Sequence, residues 1–192
     1  MTRASLHLPR GDAARIAAAI AAAVPEIRTD RLVLRAPRLD DYPAYEAVFR
    51  SERARHMGGP FDAKAAFADF CQGVAGWLLR GAGMWSLCRH GEAAPLGWLS
   101  LWQAFDDPEP ELGWVLCAAA EGRGYAYEAA AAVLPHAADL YGPGGFVSYI
   151  DPDNLRSARL AERLGARRDP AAERGFGTPL HVYRHAQPEN RR

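Results

Sequence analysis

The sequence predicts an α+β domain with a mixed central sheet. The early strand-like segments follow one another as a meander, and the later segments alternate as strand, helix, strand and helix. Hydrophobic residues make up 49% of the 192 residues, which is enough for a sizeable core and too much for a disordered chain. The length suits one domain with a small appendage.

The N-terminal part of the chain, residues 1–25, predicts a helical extension. Residues 13–24 are rich in alanine, and Asp12 and Pro25 flank them as a cap and a stop. Larger apolar side chains recur there at four-residue steps, at Ile16, Ile20 and Val24. We therefore expect a helix that packs on the domain through this face, rather than a secretion signal. The domain itself is expected at 26–186, followed by a flexible tail at 187–192.

The first half of the domain predicts one strand, two helices and three further strands. Alternation of apolar and polar residues predicts a strand over 27–36. Apolar residues at three- and four-residue steps predict helices over 40–49 and 64–79. Short apolar runs then predict strands at 84–89, 96–102 and 111–117. The polar turn around Gly91 joins the first two of these three strands as a hairpin.

The second half alternates between helices and strands. An alanine-rich segment predicts a helix over 126–140, and a strand follows at 145–150. A helix is predicted over 154–164, where Gly165 stops it. The last strand is expected at 178–185. This order places two strand–helix units after the meander.

Charge and cysteine content exclude several classes of function. The formal net charge is zero, so no general basic field would attract nucleic acid or a membrane surface. Cys71, Cys88 and Cys117 are odd in number and widely spaced, which favours neither a disulfide framework nor a zinc site. No apolar run is long enough to span a bilayer. We expect a cytoplasmic protein that uses no metal, nucleic acid or membrane.

A glycine-containing turn joins the strand at 111–117 to the helix at 126–140. It consists of Glu121, Gly122, Arg123, Gly124, Tyr125 and Ala126. Glycines let the backbone bend tightly, and the first N–H groups of the following helix can bind an anion such as a pyrophosphate. Similar turns occur without a ligand and in dinucleotide-binding folds. The preceding meander argues against a dinucleotide-binding fold.

A second polar cluster follows the strand at 145–150. Asn154 lies where a loop becomes a helix, and Ser157 follows about one turn later. Asn154 could bind a ligand across from the glycine turn, or it could simply cap the helix. The order of strand, glycine turn, helix, strand, Asn-x-x-Ser and helix is more specific than any one of these motifs.

Four segments together resemble the GNAT superfamily of acetyltransferases, in the branch that contains ribosomal-protein N-terminal acetyltransferases. They are residues 29–49, 111–130, 151–166 and the closing strand, in matching order along 27–186. The resemblance implies an acyl-CoA N-acyltransferase fold, in which helices flank the sheet and two central parallel strands splay apart. Acetyl-CoA would insert into the splay as co-substrate, its pantetheine arm bonding to a strand edge. A homodimer is among the assemblies that the sequence leaves open.

The resemblance also implies the contacts with acetyl-CoA. Backbone groups of the splayed strand would bind the pantetheine arm, at Trp114, Val115 and Leu116. The glycine turn would hold the pyrophosphate, at Gly122, Arg123, Gly124, Tyr125, Ala126 and Tyr127. Asn154 would bind the arm from the opposite side. Glu121 departs from the Gln or Arg that usually begins this motif, and we expect its carboxylate to point away from the phosphates.

The chemistry implied is transfer of an acetyl group to a primary amine by direct attack. An alkyl amine is mostly protonated at neutral pH, so a nearby carboxylate would serve as base. Glu111 begins the splayed strand and is the candidate, with an ordinary surface carboxylate as the alternative. Ala161 stands where the wider superfamily often has a tyrosine that acts as acid toward the thiolate, so this role is vacant or belongs to Ser157, which would then serve the departing thiol. The acceptor is left open between a protein N-terminus and a small-molecule amine, and a non-catalytic acyl-CoA-binding module is the alternative to an enzyme.

Overall fold

The computed structural model of the chain describes residues 6–185. The tail predicted at 187–192 and the first five residues of the extension lie outside the described residues. None of the helices in the described part is long and apolar enough to cross a membrane.

The described chain forms five α-helices and eight strands; the predicted elements follow one another in the predicted order, and the short strand Arg167–Arg168 was not predicted. The helices are α1 (Gly11–Ala23), α2 (Tyr42–Phe49), α3 (Ala63–Arg80), α4 (Tyr125–Tyr141) and α5 (Leu155–Arg163). The strands are β1 (Ile27–Arg28), β2 (Leu32–Arg35), β3 (Met84–Arg89), β4 (Gly97–Trp102), β5 (Glu111–Leu116), β6 (Val147–Ile150), β7 (Arg167–Arg168) and β8 (His181–Arg184). A short 3-10 helix at Glu52–Met57, which the sequence did not predict, lies between α2 and α3.

The single strand predicted over 27–36 is in fact two strands joined by a tight turn. Thr29 N–H bonds to the Leu32 carbonyl at 2.9 Å, and the Thr29 hydroxyl accepts the Leu32 N–H at 2.9 Å. A threonine side chain that bonds to the nearby backbone favours a turn over continued extension. β1 therefore folds back antiparallel on β2.

The eight strands form one mixed sheet in the order β1-β2-β3-β4-β5-β6-β8-β7. β5 and β6 are the parallel pair, and they share the single register pair Glu111–Val147. Two bonds hold this end together: Val147 N–H to the Pro110 carbonyl at 2.9 Å, and the Ser148 hydroxyl to the Leu112 carbonyl at 2.5 Å. Beyond Leu112, β5 and β6 form no further residue pairs with each other in the described structure. A gap therefore opens between them in the middle of the sheet. This gap is the splay that the resemblance implied.

Helices cover both faces of the sheet around this gap. α4 packs on one face, where Val133 joins Leu99 in a fully buried cluster. α2 and α3 cover the other face, where Tyr45 meets the Trp98 ring edge-on at a centroid distance of 4.9 Å. Leu99 and Trp98 are neighbours in β4 and point to opposite faces, as strand geometry requires. α5 packs against β6 and β8 through Ala161.

The N-terminal helix forms as predicted but does not pack on the domain. α1 has no buried residue, and Ile16 is 62% exposed. The prediction that Asp12 caps it is also wrong: the helix begins one residue earlier, and Asp12 pairs with Arg15 at 2.6 Å. Alanine favours a helix by its low entropy cost but buries little apolar area, so propensity formed this helix without docking it. The residues that contact the core lie on either side of the helix, at Leu6 and Val24.

Candidate active site

Two cavities meet at the gap between β5 and β6. The turn cavity, of about 540 Å³, is bordered by the glycine turn and the start of α5. The acidic cavity, of about 460 Å³, lies on the α2–α3 side and contains the carboxyl groups of Asp69, Asp107 and Glu111. Six residues border both cavities: His56, Met57, Trp114, Val115, Asn154 and Ser157. These residues, which we call the junction, would be shared by two molecules that met through the gap.

Alternation of backbone groups along β5 decides which of them point into the gap. Cys117 N–H bonds to the Leu96 carbonyl at 2.8 Å, on the side of β4. Since every second residue of a strand turns its N–H and C=O to the same side, Val115 also bonds toward β4. Trp114 and Leu116 therefore direct theirs into the gap. The expected backbone contact from Val115 is corrected: this residue borders both cavities, but its N–H and C=O belong to the β4–β5 ladder.

The glycine turn presents free helix N–H groups to the turn cavity. Gly122 and Gly124 have φ angles of +72° and +79°, which residues with a side chain rarely adopt. The first backbone bond of α4 runs from Glu128 N–H to the Gly124 carbonyl at 3.0 Å, which leaves the N–H groups of residues 125–127 without helical partners. A side-chain carbon at Gly122 would have no atom within 4 Å, so the space beside it is open. The turn therefore leaves room for close approach of an anion.

Arg123 is the residue of the turn that does not border the turn cavity. Its side chain is exposed, and its carbonyl accepts a bond from Arg31 Nη1 at 3.0 Å. Arg31 also binds Glu128 Oε2 through Nε at 2.6 Å, which ties the turn to the loop before β2. Arg123 was predicted to contact the pyrophosphate, but it lies on the outer side of the turn, away from the turn cavity.

The sequence predicted that Glu121 points away from the turn cavity, and this prediction is wrong. Glu121 borders the cavity and lies between two arginines. Arg53 pairs with one of its oxygens, and Arg156 with the other at 2.8 Å. Burial alone would raise the pKa of Glu121, but the bonds from the two guanidinium groups outweigh it and lower the pKa below the ordinary value. Arg53 Nη2 also bonds to the Leu116 carbonyl at 3.1 Å. The negative charge that threatened anion binding is therefore neutralised within the protein.

Asn154 and Ser157 lie together at the junction. The Asn154 oxygen accepts the Ser157 N–H at 3.2 Å, so it caps α5. This bond directs the amide nitrogen of Asn154 elsewhere, because only the oxygen can accept. The indole N–H of Trp114 donates to the Ser157 hydroxyl at 3.3 Å, which orients that hydroxyl from across the gap. The capping role is therefore real, and it leaves the other half of the Asn154 side chain for a ligand.

Glu111 lies half-buried in the acidic cavity, at the closed end of the gap. Burial raises the pKa of Glu111 to about 8, the charge of Asp107 adds to this rise, and a backbone bond from Tyr149 opposes it. A side-chain carbon at Gly113 would lie 2.8 Å from the Ser100 hydroxyl and 3.6 Å from Glu111 Oε1. The glycine thus lets β5 pass close to the Ser100 hydroxyl, where a larger residue would collide with it.

The far wall of the acidic cavity carries a second buried carboxyl group. Asp69 on α3 accepts a hydrogen bond from the Tyr45 hydroxyl, and burial raises the pKa of both groups. Trp102, the last residue of β4, also borders this cavity. Phe105, in the loop that follows, does not border it and is 92% exposed.

At position 161, where the wider superfamily often has a tyrosine, this chain has an alanine that cannot act as an acid. Ala161 is fully buried against Ile150, Ala166 and Tyr183, away from both cavities. Within residues 6–185, no group of three or more metal-ligating side chains is placed to hold a metal ion.

Comparison with known proteins identifies this arrangement. The sequence profile of the family described as "Acetyltransferase (GNAT) domain" matches residues 31–167. The chain belongs to the GNAT acetyltransferase family. An acetyltransferase from Agrobacterium tumefaciens str. C58 is 36% identical, with a TM-score of 0.77 over 85% of this chain and 95% of that chain. A GnaT-family acetyltransferase from Bordetella pertussis is 27% identical, with a TM-score of 0.68 over 84% of this chain and 99% of that one.

A more distant structure shares the fold. RimL, the ribosomal L7/L12 α-N-protein acetyltransferase solved in complex with coenzyme A, is 18% identical, with a TM-score of 0.64 over 84% of this chain and 98% of its own. The acetyltransferase family uses acetyl-CoA as the acetyl donor, so acetyl-CoA is the co-substrate of this chain. The turn cavity fits it, because free helix N–H groups and an open glycine backbone suit a pyrophosphate.

Sequence reasoning assigned no role to two residues that border the turn cavity of this acetyltransferase. Arg53 and His56 both lie in the 3-10 helix Glu52–Met57 and border the turn cavity. His56 Nδ1 lies 3.1 Å from Asp151 Oδ2, across the mouth of the gap. A six-residue 3-10 helix has no periodicity that a sequence pattern could detect, so these side chains had no signal beyond their chemical type.

Proposed function

We propose that this acetyltransferase moves the acetyl group of acetyl-CoA to a primary amine that enters the acidic cavity beside Glu111. The observation that supports it most is the position of Glu111. Its carboxyl group lies where β5 and β6 part, in a cavity that meets the turn cavity at the junction. An amine held there would face a thioester lying in the gap.

Glu111 has the properties that a base for this reaction needs. A pKa raised to about 8 by burial lies close to neutral pH, where a group both accepts and releases protons readily. A cationic amine arriving beside it would lower that pKa, so binding itself favours the ionised carboxylate. Glu111 first accepts a proton from the bound ammonium group, directly or through water, and passes it to solvent. The neutral amine nitrogen then attacks the carbonyl carbon and loses its second proton to Glu111. No covalent intermediate with the protein is required.

The other side of the reaction is served by groups of the junction. The backbone N–H of Trp114, which points into the gap, would stabilise the oxyanion of the tetrahedral intermediate. The Ser157 hydroxyl accepts a hydrogen bond from the Trp114 indole, and in this proposal it lies near the sulfur end of the donor. Because a thiolate is already a tolerable leaving group, we expect Ser157→Ala to lower kcat less than a change at Glu111.

The acidic cavity favours an acceptor whose amine-bearing part is compact and cationic. Three carboxyl groups, of Asp69, Asp107 and Glu111, border a volume of about 460 Å³. Aromatic rings border the rest, among them Phe49 and Trp102. Such a cavity suits a small-molecule amine better than the flat groove that an extended peptide requires.

An amine-panel assay tests this proposal. Purified protein would be incubated with acetyl-CoA and a mixture of diamines, amino acids, amino sugars and short peptides, and products identified by mass spectrometry. We expect acetylation of compact cationic amines. Preferential acetylation of peptide N-termini would identify the alternative acceptor class. Binding of acetyl-CoA with no transfer to any amine would favour the non-catalytic module instead.

The Glu111→Gln variant tests the base. We expect kcat/KM to fall roughly ten- to a thousand-fold, with the CoA dissociation constant nearly unchanged. The acidic limb of the pH–rate profile should disappear once ionisation of the substrate amine is allowed for. Glu92→Gln, on the exposed turn between β3 and β4, is the matched control and should behave as wild type. Overlapping profiles of similar absolute rate for Glu111→Gln and wild type would remove Glu111 from the mechanism.

We place the reaction in the cytosol. Cys71, Cys88 and Cys117 are all unpaired in the structure. Free thiols persist where the compartment is reducing, which fits the cytosol better than an oxidising one.

A further inference from the structure

His56 is a titratable group at the junction that the reaction as described so far does not use. It borders both cavities, and its side chain is 16% exposed. Its Nδ1 lies 3.1 Å from Asp151 Oδ2, so the 3-10 helix Glu52–Met57 is joined to the loop after β6. This bond lowers the pKa of Asp151, which therefore remains a carboxylate at neutral pH.

The pairing with Asp151 orients the imidazole. A carboxylate at Nδ1 fixes the proton on that nitrogen and leaves Nε2 as the position that gains or loses a proton. Nε2 lies on the opposite side of the ring from Asp151. A histidine held in this way is suited to proton transfer, because its ring cannot turn freely.

Several charged groups bond to His56, border the same cavities or lie on the same 3-10 helix. They are Asp151 and Asp153 in the loop after β6, Arg156 on α5, Glu111 on β5, and Arg53 and Arg55 on its own 3-10 helix. Arg53 and Arg156 are already paired with Glu121. Asp151 is the group in bonding contact with the imidazole.

Breaking the carbon–sulfur bond leaves a thiolate that must gain a proton. The buried Ala161 offers no acid, and the Ser157 hydroxyl is a far weaker acid than a thiol, so it can bond to the sulfur without giving up its proton readily. We propose that His56, held by Asp151, is a catalytic acid that protonates the departing sulfur of CoA. The role of His56 in turnover rests on the proposed acetyl transfer to an amine.

The protons balance over one turnover. The amine nitrogen forms a bond to the carbonyl carbon and loses a proton to Glu111, and the carbon–sulfur bond breaks with its electron pair going to sulfur. The imidazolium of His56 gives the Nε2 proton to that sulfur and becomes neutral. Glu111 then returns its proton to water and His56 takes one up, which restores both groups for the next cycle.

A purely structural role for the pair makes a different prediction. If His56 and Asp151 only joined the two walls of the gap, their loss would weaken CoA binding and lower stability, but would leave the ionisation of the bound thiol alone. Ionisation of the thiol therefore separates the two roles, and it can be measured without any amine.

The first experiment measures the pKa of the CoA thiol bound to the protein, from thiolate absorbance during a pH titration. A nearby imidazolium stabilises a thiolate, so we expect the bound thiol of the wild type to titrate roughly one to three pH units lower than in His56→Gln. His90→Gln is the matched control, since His90 bonds to the Thr29 carbonyl on a distant turn. Equal thiol pKa values in wild type and His56→Gln would overturn the proposal, whatever amine the enzyme uses.

The second experiment measures turnover with the best amine of the panel. We expect His56→Gln to lower kcat roughly ten-fold, since a thiolate can leave even without an acid, and to remove the alkaline limb of the pH–rate profile. Free imidazole should restore part of the kcat of His56→Ala, and Asp151→Asn should show an intermediate loss. An unchanged alkaline limb with no rescue by imidazole would overturn the catalytic assignment. If the wild type acetylated no amine, the proposed function would fail, and the thiol titration would still decide the placement of His56.

Discussion

At the scale of single residues, Asn154 shows how one side chain can combine a structural and a functional role. Its oxygen caps α5 through the Ser157 N–H at 3.2 Å, and the residue borders both cavities. An alanine variant would lose both roles at once, so a fall in affinity would be ambiguous. Aspartate is as good a helix cap as asparagine but has no N–H to donate.

We therefore expect Asn154→Asp to keep the melting temperature while raising the CoA dissociation constant roughly ten-fold, as loss of one hydrogen bond would. Asn154→Ala should raise the dissociation constant similarly and also lose about 1 kcal/mol of stability with the cap. Calorimetric titration with CoA and thermal melts measure the two effects. If Asn154→Asp bound CoA as tightly as wild type, capping would be the whole role of this residue.

At the scale of elements, the turn before α4 combines a backbone shape with a binding surface. Gly124 has a φ of +79° and stands at the N-cap of the helix. Gly91, in the turn between β3 and β4, has nearly the same conformation, with a φ of +76°, but lies outside both cavities. Comparing substitutions at these two glycines therefore distinguishes the effect of backbone strain on stability from the effect of losing an anion-binding site.

We expect Gly124→Ala and Gly91→Ala to destabilise the protein by similar amounts, about 1–2 kcal/mol, since both force a side chain into the left-handed region. Only Gly124→Ala should raise the CoA dissociation constant, because its backbone must hold the N–H groups of residues 125–127 toward the pyrophosphate. Denaturant melts and CoA titrations of both variants provide the comparison. Equal CoA affinity in the two variants would place the pyrophosphate elsewhere.

At the scale of the whole molecule, two buried groups make stability depend on pH in opposite directions. Burial lowers the pKa of His185 from its ordinary 6.5 to about 4, so the folded protein gains stability as the pH rises from 4 to 6.5. Burial raises the pKa of Glu111 from 4.5 to about 8, so the folded protein holds a proton that the unfolded chain releases. Stability therefore falls as the pH rises from 4.5 to 8.

Between pH 6.5 and 8, His185 no longer changes the stability with pH, whereas Glu111 still lowers it as the pH rises. We expect Glu111→Gln to be more stable than wild type in this range, by an amount that grows with pH by up to about 1.4 kcal/mol per unit. The melting temperature difference should grow accordingly, by roughly 2–4 °C per kcal/mol. Melts of both proteins from pH 6 to 8.5 measure it. A difference that stays constant with pH would mean that the Glu111 carboxyl is not held protonated by the fold.

The prediction of the fold succeeded where local pattern carries the information. The order of helices and strands follows from periodicity, and the helix start after Gly124 follows from a turn whose geometry depends on a few adjacent residues. The misjudged elements were local conflicts: Thr29 turned one predicted strand into two, and α1 had helix propensity without enough apolar area to dock.

The sequence by itself determined the family motifs, the glycine turn and the candidate pair Glu111 and Ser157, because each depends on residue type and short spacing. The tertiary structure alone decided what surrounds them. Glu121 is neutralised by Arg53, which is 68 residues away in the chain, and His56 meets Asp151 only when the 3-10 helix is packed against the gap. The raised pKa of Glu111 is likewise a product of burial, which no short segment contains. Charge pairing and desolvation act through space, so their effects could be assigned only after distant parts of the chain had been brought together.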